Sequence, residues 1–409
     1  MVLLVLLCAV ARADVAPGDR ISPRNVEKVK DLVSPGVEWC VQHGFPMTIV
    51  APKHVEWPQA YKEATERYAG QVRLSSDGLH IEGYVAGQPF PKLDPQDPQY
   101  ALKLMWNYEY RFFFTDDSDV RNFDADCGTI TPGGPLGVER HFLLDHLRRL
   151  KWNGRLYVDP KPEKIPNRQG LRSQQGLYPI LEPFDMKGVG ALTNRYLDPS
   201  RQDDSWLYLP SLRRVRRLST AQRSDALFGQ DTDIDSYDGY AGQIAWMDWK
   251  LLGEREMLGV LHAEHFPVRW ADKVDWAFDD VWEKRHVYVV EGVSKIPQYA
   301  YLKRVLFIDK ESWGILYSDI YDRSGELWKV WINDVSFRKQ AVPGGIEYPD
   351  EMNFIPAIVM VDLQLEHATK AALPSPRFVG EQGWYFNQGE AAGTTDAWFT
   401  VGSLVAAGH

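Results

Sequence analysis

Residues 301 to 337 carry the pattern that most restricts how this chain can fold. Tyr301 to Ile308 is rich in β-branched and aromatic residues, and Asp309-Lys310-Glu311-Ser312 is a polar turn. Trp313 to Tyr321 is a second such run, Asp322-Arg323-Ser324-Gly325 turns the chain again, and Glu326 to Phe337 is the third. Runs of this kind separated by short polar turns pair as an antiparallel meander. In the third run Leu327, Lys329 and Trp331 alternate with Trp328, Val330 and Ile332, so neither face is polar. A sheet wetted on one side would carry polar residues on that side. Helix, second sheet or ligand must therefore cover the second face.

Further strands are expected at Met105 to Phe114, Trp206 to Leu209, Val215 to Ser219, His286 to Glu291 and Ile358 to Leu365. Pro356 stands just ahead of the last, where proline interrupts no ladder. His141 to Leu150 fits a helix through Phe142, Leu143, Leu147 and Leu150, while Arg148 to Tyr157 fits a strand. Thr131 to Pro135 and Lys161 to Arg172 read as loops. Helices are few and early. Ser22-Pro23 suits a cap followed by proline, with Val26, Val29 and Val33 at helical spacing. A second helix begins near Trp57-Pro58, places Tyr61, Ala64 and Tyr68 on one face, and ends at Gly70.

Met1 to Val10 is an apolar run too short to span a bilayer, and Ala11-Arg12-Ala13 follows it. That is the form of a secretory signal cleaved after Ala13. Its usual basic start is missing, as expected if the natural chain begins a few residues upstream. Leu7 before Cys8 lacks the small residue of a lipoprotein signal, so release as a free protein is expected. No later stretch reaches the roughly 18–20 apolar residues of a membrane helix, so no transmembrane segment is expected in the mature chain. The expected organisation is a signal at 1–13, an N-terminal helical and strand region at 14–130, and a β region at 131–409 continuous with it.

With 44% hydrophobic residues over 409 positions the chain can bury a large core. A net charge of −10 disfavours nucleic acid, which needs a basic surface. Cleavage leaves Cys40 and Cys127, an even pair that an oxidising periplasm would join as a disulfide. Such a long loop would stabilise the fold by about 4–5 kcal/mol in the chain-entropy model. Two unrelated buried thiols are the alternative.

Catalytic signatures are absent. There is no G-x-S-x-G, P-loop or C-x-x-C, and Gly188-Val189-Gly190 lacks the third glycine of a dinucleotide site. His262-Ala263-Glu264-His265 spaces its histidines too closely for a zincin, and Pro267 soon breaks the segment. Asp231, Asp233, Asp235 and Asp238 lie in DTDIDSYDG, but Ser236 and Gly242 replace the glycine and glutamate of a calcium loop. A polar loop capped by Gly239 is the favoured reading, with an irregular calcium site left open. No cofactor is called for, and carboxylate pairs for glycoside chemistry leave no trace in sequence. Aromatic residues make up 12% of the chain, which suits either a large β core or a cavity for amphiphiles.

Asp204 to Leu212 is an aromatic strand that turns at Pro210 into Arg213-Arg214-Val215-Arg216-Arg217. Unpaired guanidinium groups cannot be buried on both faces. The segment is either a docking edge for anionic headgroups or an acidic partner, or a charged edge that blocks aggregation. Here the sequence becomes similar to a known family. Trp206 to Arg217, then Gln222 to Gly229, resemble outer-membrane lipoprotein-sorting-like proteins within the LolA/LolB carrier superfamily. Gly83 to Pro91 with Met105-Trp106-Asn107 resembles a larger branch of unassigned function.

The resemblance implies a mainly β fold: a large curved antiparallel sheet, an incomplete barrel, with a few helices closing an apolar cavity. It also implies a periplasmic protein of a Gram-negative bacterium that holds a lipid or other hydrophobic small molecule without chemistry. An outer-membrane or exporter protein would be its partner. The chain is about twice a small carrier's length, which leaves lipoprotein, another lipid and a hydrophobic metabolite all open as cargo of a carrier or chaperone that serves outer-membrane lipid or lipoprotein trafficking or an exporter. Trp206, Tyr208, Phe228, Trp246 and Trp249 are expected at the cavity or its mouth. Arg213, Arg214, Arg216 and Arg217 are expected to meet a headgroup or partner. The rival readings are a periplasmic hydrolase of lipid or glycan and a ligand-free scaffold.

Overall fold

The computed structural model describes residues 14–113 and 116–408, so the expected signal lies outside the described residues. The chain enters through β1 (Arg20–Ile21), α1 (Pro35–Gln42), β2 (Met47–Val50), α2 (Gln59–Tyr68), the small hairpin β3 (Arg73–Leu74) and β4 (Ile81–Glu82), and α3 (Tyr100–Glu109). One half of the main sheet follows: β5 (Asp117–Ile130), β6 (Leu136–Lys151), β7 (Leu171–Leu177), β8 (Ile180–Glu182), β9 (Gly190–Tyr196), β10 (Asp204–Leu209) and β11 (Arg214–Leu218). Residues 219–246 then cross over to the second half. That half comprises β12 (Met247–Gly259), β13 (Val281–Ser294), β14 (Lys303–Asp309), β15 (Ile315–Tyr321), β16 (Leu327–Gln340), β17 (Glu347–Asp362), β18 (His367–Ala372) and β19 (Trp384–Phe386), before α4 (Val401–Ala407).

All strands except the β3–β4 hairpin join one sheet of seventeen. It is laid down from the middle outward and then from the far edge back. β5 starts at the centre, and β6, β7 with β8, β9, β10 and β11 add successively to one side. The crossover carries the chain to β12, from which β13 to β18 return strand by strand. β18 then pairs with β5, Ala371 opposite Ala125, and closes the gap between the halves. β11 and β12 remain as free ends, so the sheet does not close into a barrel. Among the described residues every strand ladder is antiparallel except β2 with β13, and Val260 makes one isolated parallel bridge to Asp334. Register shifts at Leu251/Gly253, Phe307/Ile308, Ile320/Tyr321 and Cys127/Gly128 bend and twist the strands where they occur.

The meander at β14 to β16 forms as the sequence reads, and both of its faces are buried. One face takes α1. Ser34 caps that helix, and a Cβ on Gly36 would lie 2.5 Å from an Asp319 oxygen and 2.7 Å from Val330 Cβ, so only glycine lets α1 sit this close. The opposite face takes the crossover. On the β7–β10 half the chain's tail packs on the face away from the crossover, where Phe399 and Leu404 join Leu150, Tyr178, Leu192 and Tyr208.

Several expectations are corrected. The first helix starts at Pro35, not Pro23; Val26, Val29 and Val33 are buried, but their segment holds only a 3-10 turn at Val26–Lys28. The described part of the strand expected at Met105 to Phe114 is not a strand: Tyr100–Glu109 is helical, with Tyr100, Leu104 and Tyr108 buried at three- to four-residue spacing, and Phe114 lies outside the described residues. His141 to Leu150 is strand, within β6. Pro356 lies inside β17, beside a register shift opposite Val335, and its carbonyl accepts from Leu373. The N-terminal region expected at 14–130 supplies strands of the sheet itself, β1, β2 and β5 from Asp117. Cys40 and Cys127 are both free and buried. Cys40 belongs to α1, whereas the Cys127 thiol points at the Gly229 carbonyl 3.7 Å away in the crossover. The expected disulfide is not made.

Candidate functional site

Where the crossover lies over β5 to β9, it encloses an apolar cavity of about 50 Å³. The sheet supplies Phe123, Phe142, Leu144, Leu177, Ile180 and Ala191, and the crossover supplies Leu227, Phe228, Ile234 and Tyr237. Gln175, Thr193 and Gln230 are its polar members. Pockets for drug-sized ligands run to about 300–1,000 Å³, so a long ligand is accommodated only if the crossover moves. The turn above the cavity is held under strain. Phe228 has φ of 54° and Gly229 of 82°. A left-handed phenylalanine costs on the order of 1–3 kcal/mol. The Leu227 amide donates to the Thr232 carbonyl at 2.8 Å, closing the turn.

The aspartates of this segment hold it down. Asp231 accepts from His367 Nδ1 and Thr369 Oγ1, both at 2.8 Å on β18, and the hydrogen bond to Asp231 raises the His367 pKa. Asp233 accepts from the Tyr301 hydroxyl at 2.7 Å and lies 3.6 Å from the fully buried Arg304. Asp235 accepts from Arg223 Nε at 2.6 Å and from the Tyr299 hydroxyl at 2.9 Å. Asp203 near β10 meets Arg195 and Arg223, each at 2.9 Å. Three arginines and three aspartates thus balance one another out of water, tying the crossover to both halves of the sheet. Burial pushes the Asp233 carboxyl up, and the neighbouring Arg304 opposes that shift. The sequence reads this stretch as a polar loop; the structure gives these aspartates protein donors in place of solvent.

The expected ligand-binding residues are not gathered in one place. Phe228 lines the cavity. Trp206 and Tyr208 pack on the opposite side of the sheet, beneath the C-terminal tail. Trp246 stacks under Arg223 at 5.1 Å, and Trp249 meets the edge of Tyr240 at 5.2 Å while its Nε1 donates to Ile244. Arg213, Arg214, Arg216 and Arg217 are exposed on or beside β11, at a free end of the sheet. Sequence reasoning missed Phe123, Phe142, Ala191 and Tyr237. Their convergence is produced by pairing between distant strands, which no local pattern in the sequence announces.

Two other places gather polar groups. A cleft of about 660 Å³ lies between the β3–β4 region, α3 and β7, lined by Tyr84, Trp106, Tyr110 and Arg172. Arg172 is ion-paired there with Glu109, and its guanidinium lies 4.7 Å from the Tyr110 ring. Asp124, Asp126 and His141 bring ligand atoms within 4.8 Å of one another. Those carboxylates already meet cations, Arg377 at 3.2 Å from Asp124 and Lys370 at 3.7 Å from Asp126. The histidines of HAEH take separate partners, His262 with Glu283 at 2.6 Å and His265 with Asp280 at 3.1 Å, so they share no ligand set.

Residues 20–377 match the DUF1329 family, described as proteins of unknown function. The chain belongs to the DUF1329 family. An uncharacterized protein of Pseudomonas aeruginosa is 25% identical over 335 residues, which cover 76% of this DUF1329 chain and 67% of that protein. In structure the chain is similar to a domain from Vibrio parahaemolyticus provisionally described as outer membrane lipoprotein-sorting. The TM-score is 0.50 and the identity 17%, over 76% of this chain and all of that one. A DUF1329 protein from Desulfovibrio piger aligns with a TM-score of 0.44 and 16% identity, over 71% of this chain and 92% of that one. A LolA superfamily protein from Nitrosomonas europaea aligns at 0.37, also with 16% identity, over 66% and 90%. The fold is therefore a mostly β, open-sheet fold similar to that of the Vibrio parahaemolyticus domain, and no described helix is long and apolar enough to cross a membrane.

Proposed function

We propose that this DUF1329 chain is an exported periplasmic carrier that shelters a lipid-like molecule between the β5–β9 half of the sheet and the crossover. The apolar cavity beneath Leu227, Phe228 and Tyr237 carries this reading. Binding works by burial alone, at about 0.8 kcal/mol per methylene. A long acyl chain therefore gains enough to offset lifting a strained turn. The likeness to a lipoprotein-sorting domain supports the fold part of the reading; the cargo is inferred from the apolar lining.

The test is native mass spectrometry of protein purified from its own periplasm, followed by uptake of a fluorescent fatty acid. A co-purifying lipid mass lost on denaturation, with saturable uptake, is the expected result. Ala191→Phe, which fills the cavity, should reduce uptake at least tenfold while leaving the melting temperature within a few degrees. A clean apo mass with no uptake by the wild type would refute the carrier reading.

A further inference from the structure

The cavity and the arginine-bearing end of the sheet share a row of paired residues. Leu177 pairs with Ala191, Ala191 with Leu207, and Leu207 with Arg216, on the four successive strands β7, β9, β10 and β11. Directly opposed residues in an antiparallel sheet project to the same face. Leu177 and Ala191 line the cavity. Leu207 continues the apolar floor, and Arg216 ends it. With strands about 4.8 Å apart, Arg216 stands two strands, or roughly 10 Å, beyond Ala191. Arg214, opposite Leu209, lies on the same face two residues away. Arg217 does not: it pairs with Trp206 on the far face, beside Val215 and the tail, and contacts Asp204.

Among the described residues Arg213, Arg214 and Arg216 meet no carboxylate at ion-pair distance, although the chain carries ten more acidic than basic groups. Three unpaired guanidinium groups in adjacent positions repel one another unless an anion joins them. Arginine is well suited to holding a carboxylate or phosphate through paired N–H donors. An apolar floor that ends in cations on one face matches one class of ligand, a molecule with a hydrocarbon body and an anionic head.

We infer that the ligand is an anionic amphiphile, its hydrocarbon body under the crossover and its head held by Arg214 and Arg216 at the β11 end of the sheet. This rests on the carrier reading above and adds to it the ligand's charge and direction. Arg217, on the other face, has no part in it and serves as the internal control.

Two probes decide the matter: a pyrene-labelled hexadecanoic acid and its methyl ester, titrated at low ionic strength against the full chain. The wild type should bind the acid at least tenfold more tightly than the ester. Arg214→Gln with Arg216→Gln should equalise the two without weakening ester binding, which also shows that the variant is folded. Arg217→Gln should keep the wild-type preference. Equal binding of acid and ester by the wild type would overturn the anionic head while leaving the carrier intact. Failure of both probes to bind would sink the carrier reading and this inference with it. If the wild type instead co-sediments with vesicles containing anionic phospholipid, dependent on Arg214 and Arg216 but without preference between the probes, the arginines serve a membrane surface and the inference is wrong.

Discussion

Asp319 is fully buried on β15, where its carboxylate accepts from Ser34 Oγ at 2.7 Å and from the Gly36 amide at 3.2 Å. Burial outweighs both bonds and lifts its pKa from 3.8 to about 7. The folded protein therefore keeps a proton that the unfolded chain gives up between about pH 4 and pH 7. More protons bound to the native state means that stability falls as pH rises through that window and levels off above it. The full effect is on the order of 4 kcal/mol. Asp319→Asn keeps an accepting oxygen and removes the titration, so the wild-type-minus-variant difference in unfolding free energy should decline from pH 4 to pH 7. A difference that is constant or rises with pH would show that α1 is held in some other way. The nearby Cys40 thiol is pushed well up by its burial and by Asp319, and burial pushes Cys127 up to about 11. Neither should react with a thiol reagent at pH 8 until the protein is denatured, whereupon both should react without reductant. Sequence counting could not foresee this, because an even number of cysteines says nothing of which side of a sheet each faces.

The elements that sequence reading located share a strong local signature. Tyr61 and Ala64 fall on one face of α2, and β14 to β16 are bounded by turns that have few other conformations open to them. α3 was missed because Trp106, Tyr108 and Tyr110 favour strands intrinsically, while tertiary packing of Leu104 and Tyr108 selected helix. The first helix was displaced because Ser-Pro pairs stand at both Ser22-Pro23 and Ser34-Pro35 near the N-terminus, and Ser34-Pro35 is the one whose following residues pack against Val330. The crossover was legible only as a run of aspartates. Its partners from outside the crossover, Tyr299, Tyr301, Arg304 and His367, come from segments that sequence cannot bring together. Removing one member of a buried pair strands the other, at about 3–5 kcal/mol. Arg304→Met should cost that much by urea denaturation, and Asp233→Asn in the same chain should recover a large part of it. Strictly additive losses would mean that the two groups do not stabilise each other.

At the level of the whole molecule, mainly β architecture and the covered meander followed from the sequence, whereas the position of the apolar cavity did not. Most of the expected aromatic lining packs elsewhere, Trp206 and Tyr208 beneath the tail being the plainest case. The central strand β5 has β6 on one side and, on the other, β18, supplied from near the opposite end of the chain. A chain ending before His367 would leave β5 and β17 with open edges at the heart of the sheet. It should aggregate or resist refolding, as read by soluble yield and light scattering, while a chain ending after Phe386 should keep the sheet. The same placement bears on timing. The first long strand to emerge waits for nearly the last, so no half can finish alone and the loop to be closed is almost the whole sheet. Pairings so distant in sequence are slow to form. During that wait β5 exposes a bare edge, a template on which another chain can pair until the C-terminal strands arrive.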